Sequence, residues 1–442
     1  MSLWRDPPWG IGYSRQNALF GGLSCPVNAS PLGPAVPCET SSGADSYWSL
    51  SDPLSLLDST TTSSTTTPVL HLHISHETMP GHLGQKILKT FGLDEPKTGQ
   101  AGPVGDLPGR ADVHLDERIL SEFPNNGTYP RLARLSDGSI LSATTRREGP
   151  QRVLQVSKST DGGHRFFTWG EVTRGHGDVD NLYLLEVAPN KVLAAFRNHD
   201  LGPNGPTHFR ITVCQSTDGG KSWSYLSQAA EKGAPFGLWE PFMRLGRRGE
   251  IQMTFSQEFA PEDQDTMLVV SHDHGKTWSK PVVVAGADER LRDGMTGIAE
   301  TRDNGQDALV MVFETTRYGT FCIEAVISYD DGVSWQRRQP VYIPPRGRNA
   351  GSPQIASFAD GSLAVIFQTD EDVQHCQWPG RAAAKTVFSG PPQHGKLHWT
   401  SPTLVGPEAS VWPGIMAIDE KTVMATYDHG GPRGKLITWH TK

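Results

Sequence analysis

Between residues 129 and 431 the chain passes six times through one pattern. A short run mixing apolar and polar positions is followed by a polar turn, then by a second apolar run that ends in polar or charged residues. The copies are YPRLARLSDGSILSATTRRE (129–148), VDNLYLLEVAPNKVLAAFRNHD (179–200), LWEPFMRLGRRGEIQMTFSQEF (238–259), MTGIAETRDNGQDALVMVFETT (295–316), GSPQIASFADGSLAVIFQTDED (351–372) and VWPGIMAIDEKTVMATYDHGG (411–431). Ile140, Val192, Ile251, Leu309, Leu363 and Val423 hold the equivalent place, 52 to 60 residues apart. Short β-rich runs bounded by turn residues read as strands, and no 3.6-residue periodicity competes with them.

A second repeat falls between these hairpins. STDGGHRF at Ser159, STDGGKSW at Ser216, SHDHGKTW at Ser271 and SYDDGVSW at Ser328 all fit S-x-D-x-G-x-x-W/F. The chemistry is that of a turn: Ser and Asp side chains cap nearby backbone N–H groups, Gly permits positive φ, and the aromatic anchors the return. Asp161, Asp218, Asp273 and Asp330 are therefore read as staples with no share in catalysis. A unit of about 55 residues holding two hairpins is a four-stranded blade, and such units close into a ring. Six of them predict an all-β, six-bladed propeller over residues 112–442. Residues 1–111 differ: they are rich in Pro, Gly, Ser and Thr, include STTTSSTTTP, and are expected to form a largely disordered extension with at most a helical turn near Gly84–Phe91.

Composition narrows the partners. Net charge is −8 over 442 residues, with no basic stripe carrying interleaved aromatics, which argues against nucleic acid. There is no run of 18 apolar residues, which argues against a membrane span. No apolar core of a secretory signal is visible in MSLWRDPPWGIGYSRQ. The five cysteines lack metal-ligand or disulfide-scaffold spacing, and His176 and His199 pair with no other ligand, so neither cofactor nor catalytic metal is expected. No Ser nucleophile elbow is present.

If the first run of each copy is the innermost strand, its beginning and the end of the second run open on one rim of the central channel. That rim collects carboxylates, arginines, amides and aromatics, as a sugar site requires. Glu240 in LWEPF and Glu314 at the end of ALVMVFE come from adjacent blades at matched places, and a pair of carboxylates is what glycosidic cleavage needs. The apolar approach to Glu314 would raise its pKa. Arg131, Asp180, Asn181, Arg197, Trp239, Ser352, Trp412 and Tyr427 are the expected substrate contacts, with inter-blade bonding as the competing role for Asp180, Asn181 and Arg197. Glu258 stands in reserve, expected to pair with a rim arginine.

The boxes are similar to the Asp-boxes of sialidase-like propellers. Together with GDVDN, VLAAFRNHD, FRITVCQSTDGGKSW, LWEPF and NAGSPQIASFADGSLAVIFQTDED, the chain from about Asp112 onward resembles the fungal exo-α-L-arabinanase family of glycoside hydrolases. The resemblance implies a secreted enzyme that releases arabinobiose from the non-reducing end of α-1,5-linked arabinan with retention of configuration, and it places the acid/base on Glu240 and the nucleophile on Glu314. A monomer is expected. Two other functions compete. A sialidase would use Arg131 in a three-arginine carboxylate clamp, for which blades four and five offer Thr296 and Ser352. A non-catalytic propeller would bind glycans or proteins without needing paired carboxylates.

Overall fold

The computed structural model describes residues 107–441, apart from 288, 375 and 376. The expectations for the extension, including the turn near Gly84–Phe91, lie outside the described residues, as do Cys25, Cys38 and Cys376. The described residues form twenty-four strands and no α-helix, arranged in six four-stranded antiparallel sheets. Blade I consists of Thr128–Arg134, Ile140–Glu148, Gln151–Ser159 and Phe167–Gly175, paired in sequence order. Blades II to V repeat this meander, with first strands Asp178–Ala188, Leu238–Leu245, Gly294–Asp303 and Ala350–Ser357. Blade VI starts at Val411–Ala417, and its outermost strand is Gly109–Ile119, which pairs with Pro432–Thr441. The expected six blades are present, and the last is completed by the beginning of the propeller segment.

The first strand of each blade touches the first strands of both neighbours, so six of them ring the axis. The apolar side chains do not fill that axis. They form six clusters, one at each seam between blades. Blades I and II, for example, bury Leu141, Leu154, Leu182 and Phe196 against one another. Both faces of a blade's middle strands are therefore covered, which is why Gln306–Thr315 is buried along nearly its whole length. With apolar burial satisfied at the seams, the channel is left to polar groups.

The boxes join the third and fourth strands of blades I to IV. In blade II, Asp218 Oδ1 accepts the N–H groups of Lys221 (3.0 Å) and Ser222 (2.9 Å) and the Ser216 hydroxyl (2.7 Å). The box aromatics pack on the seam with the preceding blade, Trp223 on I–II and Trp278 on II–III. Counting strand reversals, the boxes lie at the opposite end of each blade from the start of its first strand.

Candidate active site

Each blade's first strand begins with a fault. The ladder to the second strand slips between Thr128 and Arg131, Asp180 and Tyr183, Trp239 and Phe242, Gly294 and Gly297, Gly351 and Gln354, and Val411 and Gly414. Inside each slip one residue has positive φ: Tyr129 (51°), Asn181 (56°), Glu240 (41°), Met295 (52°), Ser352 (53°) and Trp412 (54°). None is glycine. A left-handed non-glycine residue costs about 1–3 kcal/mol, and bulges of this kind re-aim a side chain. Six repetitions at one level of the ring make this a built feature: every blade turns one side chain toward the channel mouth.

The six side chains meet. Trp412 stacks on Tyr129 with ring centroids 4.5 Å apart. The Ser352 hydroxyl lies 3.3 Å from the Met295 sulfur. Tyr129, Asn181, Glu240 and Met295 line one narrow cavity with Arg131, Tyr183, Thr296 and Gln354.

Glu240 is only partly exposed, and no group among the described residues hydrogen-bonds or ion-pairs with its carboxyl. Its pKa is pushed up to about 8, first by burial and then by the charges of Glu314 and Glu258, against the opposing pull of Arg197 and Arg292. Glu314, 9% exposed, is the penultimate residue of the second strand of blade IV. Its Oε2 accepts the Ser352 N–H at 2.7 Å. Burial raises it to about 7, with the Ser352 N–H and the Arg292 charge holding it down. The two carboxyls thus feel each other but differ in support: one is bonded by a fixed backbone donor, the other is not.

The expected contacts divide. Arg131 lines the cavity, donates only to the carbonyls of Pro130 (3.1 Å) and Trp412 (3.0 Å), and forms no ion pair among the described residues. Burial lowers its pKa to about 10. Asn181 is 6% exposed, and its side-chain oxygen lacks a hydrogen-bond partner among the described residues, the mark of an acceptor position open to a ligand or water. Trp239 lies under the Arg197 guanidinium at 5.1 Å.

Four residues are engaged by the protein's own bonds. Asp180 and Arg197 are buried in an ion cluster: Arg152 donates to Asp178 (2.5 Å) and Asp180 (2.7 Å), and Arg197 to the same two at 3.1 and 3.3 Å. They brace blades I and II, and the Arg197 charge acts on Glu240. Ser352 has no exposed surface, and its N–H serves Glu314. Tyr427 is fully buried in the seam between blades V and VI, its hydroxyl donating to Glu117 at 2.6 Å. Near the end of its strand it faces the neighbouring blade, not the channel. Glu258 pairs with Arg292 at 2.7 Å and accepts the Gly237 N–H, as expected of it.

Sequence reasoning missed Tyr129, Tyr183, Met295 and Gln354. A signal existed: Pro130, Pro241, Pro353 and Pro413 each follow the left-handed residue, and proline within an inner strand marks a bulge.

No family model matches the chain. A sialidase of Micromonospora viridifaciens is 27% identical in an alignment covering 50% of this chain and 39% of that protein, so the chain spans about two fifths of the relative it matches. An α-L-arabinofuranosidase of Fusarium graminearum superposes with a TM-score of 0.55 at 18% identity, covering 77% of this chain and 98% of that one. The same organism's enzyme in complex with arabinobiose gives 0.52 at 20% over the same shares. The NanB sialidase of Streptococcus pneumoniae gives 0.50 at 13%, over 72% of this chain and 68% of that one. At these identities the likeness to the solved structures is one of fold.

Proposed function

We propose that the protein is a retaining, exo-acting glycoside hydrolase that releases arabinobiose from α-1,5-linked arabinan. The observation that carries this reading is the unequal pair at the channel mouth. Burial raises both carboxyls, but the Ser352 N–H favours the ionised form of Glu314 and Glu240 has no such donor, so Glu314 takes the ionised role and Glu240 the protonated one. The Glu314 carboxylate, held by Ser352, attacks the anomeric carbon while the glycosidic C–O bond breaks and Glu240 gives its proton to the leaving oxygen. Glu240, now ionised, takes a proton from water. The water oxygen attacks the same carbon and frees Glu314, so configuration is retained after two inversions. The arabinobiose bound by the Fusarium graminearum fold relative supports the choice of sugar.

The sialidase reading draws on the Micromonospora relative and on Arg131, a cation that among the described residues donates to carbonyls alone. The places matching Arg131, two residues past each left-handed residue, hold Tyr183, Phe242, Gly297, Gln354 and Gly414. One arginine at that level makes a poor carboxylate clamp. The test is digestion of linear debranched arabinan and of sialyl-lactose side by side, with the product anomer followed by NMR. Arabinobiose released first as the retained anomer is the expected result. Release of sialic acid at a comparable rate would establish the sialidase, and inertness toward both with tight glycan binding would establish a lectin-like role.

A further inference from the structure

Trp378 was not expected at the site. It lies in the segment joining the second and third strands of blade V, Leu363–Thr369 and Ala383–Ser389, at the same end of the ring as Glu314. Gly351 shows how close the two come. A Cβ at Gly351 would meet Glu314 Oε2 at 2.6 Å and the six-membered ring of Trp378 at 2.9 and 3.1 Å. Carboxylate and indole edge therefore crowd one glycine. Phe321, in the matching segment of blade IV, stacks on Trp378 with centroids 6.1 Å apart and planes 25° from parallel. Phe321 is itself fixed, since its carbonyl accepts the Ala350 N–H at 2.8 Å and its N–H donates to Asn349.

Neither ring belongs to a seam cluster, and both keep part of their surface open. Thr320 and Cys322, on either side of Phe321 in the chain, line a groove of about 290 Å³ with Tyr318, Ile343, Pro344 and Arg346, close to the lower bound for ligand clefts. Two large aromatics that take no part in the core, set against a carboxylate, need another partner. The C–H face of a sugar ring suits the electron-rich face of an indole. Ring order gives the direction: Glu240 on blade III, Glu314 on blade IV, Trp378 on blade V. The leaving group sits beside the acid, and Trp378 stands on the other side of Glu314 from it, a place open to the donor part of the chain.

We propose that Trp378, braced by Phe321, is the stacking platform for the terminal non-reducing arabinose ring, next to the ring Glu314 attacks, and that it sets a disaccharide as the product. This rests on the arabinanase reading. The test compares wild type, Trp378→Ala, Trp378→Phe and Phe321→Ala on linear arabinan and arabinotetraose, with melting curves to verify folding. Trp378→Ala should raise KM roughly 10- to 100-fold, the range for losing one aromatic stack, and should release arabinose beside arabinobiose. Trp378→Phe should restore most of both, and Phe321→Ala should fall between. Unchanged KM and an unchanged arabinobiose product in folded Trp378→Ala would overturn the platform while leaving the functional reading intact. Wild type inert toward arabinan would overturn both. If Trp378→Ala does not fold, Trp378→Phe and Phe321→Ala decide on the same criteria.

Discussion

The two ends of each blade handle carboxylates in opposite ways. At the box end, Asp218 sits under two backbone N–H groups and two hydroxyls, which outweigh the cost of its partial burial and hold it at about 2. Asp161 and Asp273 are likewise depressed, first by the backbone and side-chain donors of their own turns. At the mouth, the Ser352 N–H to Glu314 is the one hydrogen bond that Glu240 and Glu314 receive among the described residues, and burial pushes them up to about 8 and 7. A carboxylate with every lone pair occupied is a structural clamp with no free affinity for protons. One that is buried and underbonded keeps its proton into the neutral range and can give it away. The repeat thus carries the architecture, and the acids without a counterpart in other blades are the ones left poised to exchange protons.

Substitutions at the two ends should separate accordingly. Glu314→Ala should cost the most, roughly 10⁴-fold or more in kcat, with azide restoring turnover by taking the nucleophile's place. Glu240→Ala should lose about 10²–10⁴-fold on arabinan and less on substrates whose leaving group needs no proton. The pH profile sharpens the contrast. The active form has Glu314 ionised and Glu240 protonated, so kcat/KM should rise as pH climbs through about 7 and fall as it passes about 8. Glu240→Gln should remove the alkaline limb from whatever activity remains. The smallest effect belongs to the box: Asp218→Ala should leave kcat unchanged and lower stability by about 1–3 kcal/mol, read as a fall in Tm. A box variant that lost activity while keeping its Tm would break the distinction between the two ends.

The blades were legible because a strand buried on both sides and a capped turn each have a local signature. The 52- to 60-residue spacing of Ile140 through Val423 counts six blades without any knowledge of strand pairing. Glu240 and Glu314 were legible as strand-end acids beside apolar runs. The bulge ring was not, because its six residues are Tyr, Asn, Glu, Met, Ser and Trp, sharing no chemistry except the proline that follows four of them. Tyr427 was misplaced because the side chains of a blade's second strand alternate between the two flanking seams and do not point along the channel. Trp378 escaped because its approach to Glu314 depends on a loop from another blade, which no spacing encodes.

The closing strand Gly109–Ile119 has a consequence for how the molecule comes into being. Glu117 and its partner Tyr427 lie 310 residues apart, and Gly109 pairs with Thr441. During synthesis the early strand must wait, unpaired, while five blades stack behind it. Contacts of such long range form late and slowly. Until then Tyr129 has no Trp412 to stack on, Arg131 no Trp412 carbonyl to grip, and blades I and VI present open flanks to other nascent chains. The wall of the channel mouth is thus also the clasp of the ring, and the mouth is complete only once Pro432–Thr441 has paired with Gly109–Ile119.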